Sequence, residues 1–224
     1  MRYFFTSKVE KENNETQIQI PFNIWEVCRQ REEIDADIVI DNQIIECKLV
    51  PLDEKGLYKV LIPAGTELNV DINVNHKLLL HVKNSLIRID QNSPYSFDKP
   101  IRKIDSIELI IQPADGLCGQ TCIAMLAGVT IADVITVMDC REWQGTMGQL
   151  ISALNYYGID HTDIIVYPAE GENVVLPKAA ILMEKMGRFS HYLLYFDGKY
   201  YDPNLGILEE YDMSKLKGYL ELKI

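Results

Sequence analysis

Residues 112–128 read QPADGLCGQTCIAMLAG, and this stretch decides how the second half of the chain folds. Gly116 is expected to break regular secondary structure. The apolar residues that follow it have the spacing of a short helix ended by Gly128. Cys118 therefore lies at the predicted helix N-terminus. Unpaired backbone N–H groups and the helix dipole favour an anion there, so this position promotes formation of a thiolate.

Gln112 stands six positions before Cys118, after a β-like run at residues 106–111 that predicts a strand. Its carboxamide can turn back beside the backbone N–H of Cys118. The two groups would then supply two donors to the oxyanion that forms when a nucleophile attacks a carbonyl. Such a nucleophile also needs a base.

The base is predicted from a β-hairpin further along the chain. Residues 190–202 read SHYLLYFDGKYYD, in which the Asp-Gly pair is a strong two-residue turn between two strands. If Phe196 pairs with Lys199, His191 and Asp202 become diagonal neighbours, roughly 7–8 Å apart at their backbones and within side-chain reach. A slip of one residue in the register would place them on opposite faces.

One imidazole nitrogen can then meet Asp202 while the other points to the sulfur of Cys118. Taken singly, these residues have ordinary interpretations as a buried cysteine, a core histidine and a turn aspartate. Their combination and order, with a glutamine at a suitable offset, favour catalysis instead. We predict catalytic roles for Cys118, His191, Asp202 and Gln112, in a mechanism that requires neither a metal nor an organic cofactor.

This set resembles the papain-like cysteine peptidases, and most of all the bacteriocin-processing, double-glycine leader peptidases and their stand-alone relatives. The similarity covers about residues 107–206. It includes the Gln-x5-Cys-Gly-Gln-Thr-Cys segment, a second helix at residues 145–154, the Ser-His-Tyr strand and the Asp-Pro-x-x-Gly turn. The resemblance implies a Gln–Cys–His–Asp catalytic set at the four positions named above. It also implies a papain-like domain, whose catalytic helix packs on an antiparallel sheet, and a peptide or protein substrate cleaved through a thioester.

Other residues near these motifs are secondary candidates. Asn204 is an alternative orienting partner for the imidazole, since papain uses an amide in that role. Gly119, Trp143 and Thr146 are candidate substrate or orienting residues, although a buried tryptophan and a helix cap are the alternative interpretations of the last two.

The remaining cysteines and a second histidine are predicted to have no catalytic part. We expect Cys122 to pack inward one helical turn beyond Cys118, and His161 to lie in a surface loop. The other three cysteines are interpreted as structural: Cys28, Cys47 and Cys140.

The first part of the chain predicts a small antiparallel β-barrel. The predicted strands are residues 17–20, 38–40, 43–50 and 58–62, with turns at Asp41-Asn42 and residues 53–56 and one short helix at about residues 23–30. The pattern resembles the bacterial domain family DUF1905, a small β-barrel, at Ile20-Pro21, at the 41–43 turn and at residues 55–58. The predicted fold class is thus α+β, with a barrel at 1–90, a linker at 91–105 and a papain-like domain at 106–224.

Composition restricts the partners. The chain has 224 residues, a net charge of −11 and a pI near 4.8, which argues against nucleic acid and anionic membranes as partners. No apolar run approaches the ~20 residues of a membrane span, and the first residues lack the apolar segment of a signal peptide. Five cysteines without a CxxC pair match neither a zinc site nor a disulfide framework. We therefore expect a reduced, cytoplasmic protein.

Two other functions are consistent with the same sequence motifs. The first is an amidase or transferase that uses the same triad for acyl transfer on a non-peptide amide. The second is a catalytically silent papain-like domain that acts as a binding module. Selective alkylation of Cys118 at neutral pH would favour an enzyme over the silent module.

Overall fold

The structure is a computed structural model that describes residues 1–13, 15–24, 32–52, 57–83, 92–140, 145–187 and 189–224. Contacts divide the chain into two compact units, Met1–Ser85 with Asp163–Ala169, and Leu86–Thr162 with Glu170–Ile224. This grouping differs from the predicted division at 1–90, 91–105 and 106–224, because the short segment 163–169 belongs with the first unit.

The first unit contains a closed, six-stranded antiparallel β-barrel. Its strands are β1 (Arg2–Glu12), β2 (Glu15–Gln19), β3 (Ile34–Ile40), β4 (Gln43–Pro51), β5 (Tyr58–Ile62) and β6 (Asn75–Val82). They pair in the order β1-β2-β5-β4-β3-β6, and β6 closes the sheet on β1. The prediction of an N-terminal antiparallel barrel is therefore confirmed.

Alternation of apolar residues along the strands produces the barrel core. Successive side chains of a strand point to opposite faces, so every second residue points inward. In β4 the buried positions are Ile45, Cys47 and Leu49, while Ile44 on the other face is 72% exposed. Asp41 and Asn42 both have positive φ, as the predicted two-residue hairpin turn between β3 and β4 requires.

Two neighbouring isoleucines test this inside–outside pattern. Ile45→Ala should lower the free energy of unfolding by about 2–5 kcal/mol, because it removes buried methyl groups and leaves a cavity. Ile44→Ala, the matched change one residue earlier, should alter it by less than about 0.5 kcal/mol. Urea denaturation measures both values. Equal losses for the two variants would contradict the assigned register of β4.

In its described residues the second unit combines three α-helices with an antiparallel sheet. The helices are α1 (Cys118–Ala127), α2 (Ile131–Val137) and α3 (Met147–Tyr157). The strands are β8 (Ala179–Met186), β9 (Phe189–Phe196), β10 (Lys199–Asp202), β11 (Gly206–Leu208) and β12 (Leu216–Leu222), in the order β11-β10-β9-β8-β12. Strand β7 (His161–Val166) precedes them in sequence, but its residues 164–166 belong to the first unit and pair there with residues 2–4 of β1. The α+β class is confirmed.

Helix α1 lies between β9 and the other two helices. All ten of its residues are buried, and its C-terminus is Gly128 in the left-handed conformation, as predicted. Gly119 allows the close approach, because a Cβ there would stand 2.8 Å from Leu150 of α3 and 3.3 Å from Tyr192 of β9. The first turn of α1 is thereby held against the sheet.

Several predicted local features differ from the structure. Residues 106–111 form no strand, and α2 was not predicted although Thr130 and Asp133 form a capping box at its start. The predicted linker contains ordered backbone, since the N–H of Ile101 donates to the carbonyl of Tyr157 at the end of α3. The predicted turn at residues 53–56, most of the predicted helix at 23–30, and Cys28 lie outside the described residues.

Within the described residues, no single helix is long and apolar enough to cross a membrane, and only the bent pair of α1 and α2 passes that test together.

Candidate active site

Cys118 is the first residue of α1, so the position predicted for the thiol is confirmed. Gly116, with φ of +87°, turns the chain into the helix, and the N-cap residue Leu117 provides no side-chain cap. The first backbone N–H groups of a helix have no partner within the helix, and they carry the positive end of its dipole. The Cys118 sulfur therefore lies where a negative charge is stabilised.

The hairpin of β9 and β10 has the predicted register. Lys199 pairs with Phe196 and Tyr201 with Leu194, and the turn residues Asp197 and Gly198 both have positive φ. This register brings His191 and Asp202 to the same face of the sheet. Both side chains are buried, at 8% and 4% exposure, and His191 Nε2 donates to Asp202 Oδ1 over 3.1 Å.

Asp202 is held by the turn that follows it. Its Oδ1 also accepts from the backbone N–H of Asn204 at 2.7 Å and of Leu205 at 3.2 Å, an Asx-type turn. Burial opposes the charge on Asp202, but the hydrogen bonds from His191 and from the backbone outweigh it and lower the pKa of the carboxyl. Asp202 is thus an oriented carboxylate at neutral pH.

His191 is held as an imidazolium between two partners. Burial lowers the pKa of the ring, but hydrogen bonds with Asp202 and Cys118 outweigh this effect and raise it to about 10. Because Nε2 is engaged by Asp202, Nδ1 is the nitrogen left for the sulfur. The structure therefore brings together three of the four predicted catalytic residues.

The fourth, Gln112, is linked to the same turn. Its backbone N–H donates to the carbonyl of Pro203 at 2.9 Å, and its side-chain Nε2 donates to Asn204 Oδ1. The Asn204 side chain, predicted as an alternative partner for the imidazole, is thus engaged by the glutamine, and only its backbone contacts Asp202. Among the described residues, Gln112 Oε1 is buried without a hydrogen-bond partner.

The secondary candidates have mainly structural contacts. Gly119 serves the close packing of α1, and Thr146 is the N-cap of α3, where it forms a capping box with Gln149. Trp143 lies outside the described residues. His161 is fully buried rather than in a surface loop, with Nε2 at 2.9 Å from Asn155 Oδ1. It therefore belongs to the packing at the end of α3.

The other described cysteines differ from Cys118 in their surroundings. Cys122 is fully buried, as predicted, and burial raises the pKa of its thiol well above the usual value. Cys47 lies inside the barrel, where burial raises the pKa of its thiol to about 12. Cys140 is partly buried, with its sulfur 3.6 Å from the amide nitrogen of Gln120.

A cavity of about 330 Å³ opens beside His191 and Asp202. Four of its lining residues carry carboxylates: Glu184, Asp202, Glu210 and Asp212. The others besides His191 are Met186, Asn204, Leu205, Leu208, Tyr211 and Lys215. The cavity therefore leaves open space directly beside the His191 and Asp202 side chains.

Sequence reasoning did not identify Glu184. It stands directly opposite His191 in the ladder between β8 and β9, with Lys215 at 3.7 Å. Only the pairing of β8 with β9 places it there. The apolar run at residues 179–183 is a signal for β8, but the predicted hairpin contains only β9 and β10.

The described residues contain no group of three His, Cys, Asp or Glu side chains arranged to hold a metal ion. The described cysteines Cys47, Cys118 and Cys122 are free thiols.

Replacing Asp202 should change the titration of His191. Asp202→Asn removes the carboxylate that stabilises the imidazolium, so the pKa of the ring should fall. In the wild-type protein the ring should remain protonated through neutral pH and titrate near pH 10, as followed by NMR of the imidazole protons. Asp212→Asn removes a carboxylate from the same cavity and should leave the pKa of the His191 ring unchanged. An unchanged titration in Asp202→Asn would refute the assigned pair.

Comparison with known proteins gives little further information. No protein-family model matches the chain, and no curated protein is similar to it at a significant level. The predicted resemblances to DUF1905 and to the leader peptidases therefore stay predictions.

One solved structure similar to part of the chain is the peptidase domain of Streptococcus ComA, described as a bi-functional ABC transporter involved in a quorum sensing pathway. The match covers 52% of this chain and 98% of that domain, with 15% identity and a TM-score of 0.41. At this level the similarity carries no inference about chemistry, which rests on the geometry of Cys118, His191 and Asp202.

Proposed function

We propose that the second unit is a papain-like cysteine peptidase or isopeptidase domain that hydrolyses a peptide-type amide through a thioester intermediate. The observation that carries this proposal is the arrangement around His191. Its Nε2 donates to a buried carboxylate, and its remaining nitrogen is left for a thiol at a helix N-terminus. A nucleophile, a base and a group that orients the base are the elements of a catalytic triad.

Acylation begins at the sulfur of Cys118. The thiolate attacks the carbonyl carbon of the substrate and forms a tetrahedral intermediate with a negative oxygen. The backbone N–H of Cys118 and an N–H of Gln112 stabilise that oxygen. When the C–N bond breaks, the His191 imidazolium donates its proton to the leaving amine, and the acyl group remains on the sulfur as a thioester.

Deacylation uses the same groups in reverse. The neutral imidazole of His191 takes a proton from water, whose oxygen attacks the thioester. The carbon–sulfur bond then breaks, releasing a carboxylic acid product, and the thiolate–imidazolium pair is restored. Asp202 fixes the orientation of the ring and stabilises its charge in both steps.

Burial of Cys122 and Cys47, two of the other described thiols, supports Cys118 as the nucleophile. Cys122 and Cys47 have raised pKa values because they are buried, so both are poor thiolates at neutral pH. A reactive thiolate persists under reducing conditions, and the cytoplasm is accordingly the proposed location.

Alkylation tests the proposed nucleophile without a known substrate. At neutral pH, iodoacetamide should modify Cys118 faster than any other cysteine, as measured by mass spectrometry of the digested protein over time. His191→Ala should slow this reaction, because the thiolate loses its counter-ion. Cys140→Ala, the matched control at a partly buried thiol, should leave it unchanged. Uniformly slow alkylation of all five cysteines would instead support a silent binding module.

A peptide library tests the bond that is cleaved. The wild-type protein should generate new peptide termini in a complex peptide mixture, and Cys118→Ala should generate none. His191→Ala should reduce the cleavage rate by about 10²–10⁴, the usual contribution of a general acid–base. If Cys118 is alkylated selectively but no peptide is cleaved, the reaction is acyl transfer on a non-peptide amide and the peptidase assignment is wrong.

A further inference from the structure

The side chain of Asn204 has no role in the triad, yet it accepts a hydrogen bond from the proposed oxyanion donor. Gln112 Nε2 donates to Asn204 Oδ1, and the backbone N–H of Gln112 donates to Pro203 at 2.9 Å. Two consecutive residues of the turn thus hold the main chain and the side chain of the glutamine.

The turn that supplies these contacts is itself tied to the catalytic pair. Asp202 Oδ1, the atom that accepts from His191 at 3.1 Å, also accepts from the N–H of Asn204 at 2.7 Å. The position of Asn204 is therefore set by the same carboxylate oxygen that orients the imidazole.

Gln112 needs such a restraint. Residues 106–111 before it form no strand, so no β-ladder fixes the segment, and Gln112 itself is only partly buried. A glutamine side chain also has more rotamer freedom to lose than most. Because the carboxamide is planar and its nitrogen carries two N–H groups, fixing one of them on Asn204 fixes the direction of the other.

The other end of the same carboxamide is not satisfied. Gln112 Oε1 is buried and has no hydrogen-bond partner among the described residues. A buried polar atom without a partner is unfavourable, and this oxygen contributes no hydrogen bond that fixes the orientation of the carboxamide. The contact with Asn204 is thus the polar interaction that holds this side chain.

We propose that Asn204 is a positioning residue that holds the Gln112 carboxamide in the orientation needed to stabilise the oxyanion. This inference rests on the proposed function, because an oxyanion forms only if Cys118 attacks a carbonyl. The Asp-Pro-Asn-Leu turn then orients two groups. It orients the imidazole of His191 through Asp202, and the oxyanion donor Gln112 through Asn204.

Two probes of Cys118 separate this role from a general structural one. The acylation of Cys118 by p-nitrophenyl acetate passes through an oxyanion, whereas its alkylation by iodoacetamide displaces iodide from a saturated carbon and forms none. Both reactions consume the thiolate, so the ratio of their rates cancels any change in thiolate population. The ratio therefore reports on stabilisation of the oxyanion.

Asn204→Leu, which keeps the size but removes the acceptor, should lower the ratio of acylation to alkylation by roughly 10–100-fold, as loss of an orienting partner does elsewhere. Gln112→Ala should lower it by about 10²–10³, the cost of one oxyanion donor. Asn204→Asp retains an acceptor oxygen and should restore most of the ratio. Ile207→Ala, at a 49% exposed side chain of β11 just after the turn, is the control and should leave it unchanged.

The double variant Gln112→Ala with Asn204→Leu should have the same ratio as Gln112→Ala alone, because Asn204 acts only through the glutamine. Additive effects would overturn the inference, and so would equal loss of both rates in Asn204→Leu or an unchanged ratio in Gln112→Ala. If Cys118 is not a nucleophile, the signature is different, since the wild-type protein would then show no selective alkylation of Cys118. A peptidase assignment that is wrong only about the substrate is detected by the peptide library and leaves the ratio unaffected.

Discussion

The hydrogen bond between His191 and Asp202 is the interaction on which the proposed site in the second unit depends. Both groups are buried and ionised, so the desolvation cost of each charge is offset by the opposite charge beside it. The contact exists because the turn at Asp197 and Gly198 fixes the register of β9 and β10. Removing one partner of such a pair typically costs about 3–5 kcal/mol, because the remaining charge is left uncompensated.

The sequence predicts those features of the fold that are determined by residues close together in the chain. The two-residue turns fix the register of their hairpins, and this was sufficient to place His191 beside Asp202. Gly116 and the apolar run after it were sufficient to place Cys118 at a helix N-terminus. Strands β2 to β5 were predictable because their apolar residues alternate with the period of a strand. Strands β1 and β6, which close the barrel on each other, were not predicted.

The parts that sequence reasoning missed depend on contacts between distant segments. Nothing near Asn204 in the chain indicates that its side chain meets Gln112, which is 92 residues away. His161 was assigned to the surface from its polar neighbours, yet its ring is buried against Asn155 of α3. Residues 106–111 have the composition of a strand but find no partner strand, because β-structure requires pairing that the segment alone cannot specify.

The central claim is that His191 and Asp202 make the Cys118 sulfur an acyl acceptor. Detection of the acyl-enzyme tests this claim most directly. The protein is mixed with p-nitrophenyl acetate, quenched in acid and digested, and each cysteine peptide is examined by mass spectrometry. The account predicts an acetyl group on the Cys118 peptide of the wild-type protein, and little or none in His191→Ala. Acetylation that is absent from Cys118, or that is unaffected by loss of His191, would contradict it.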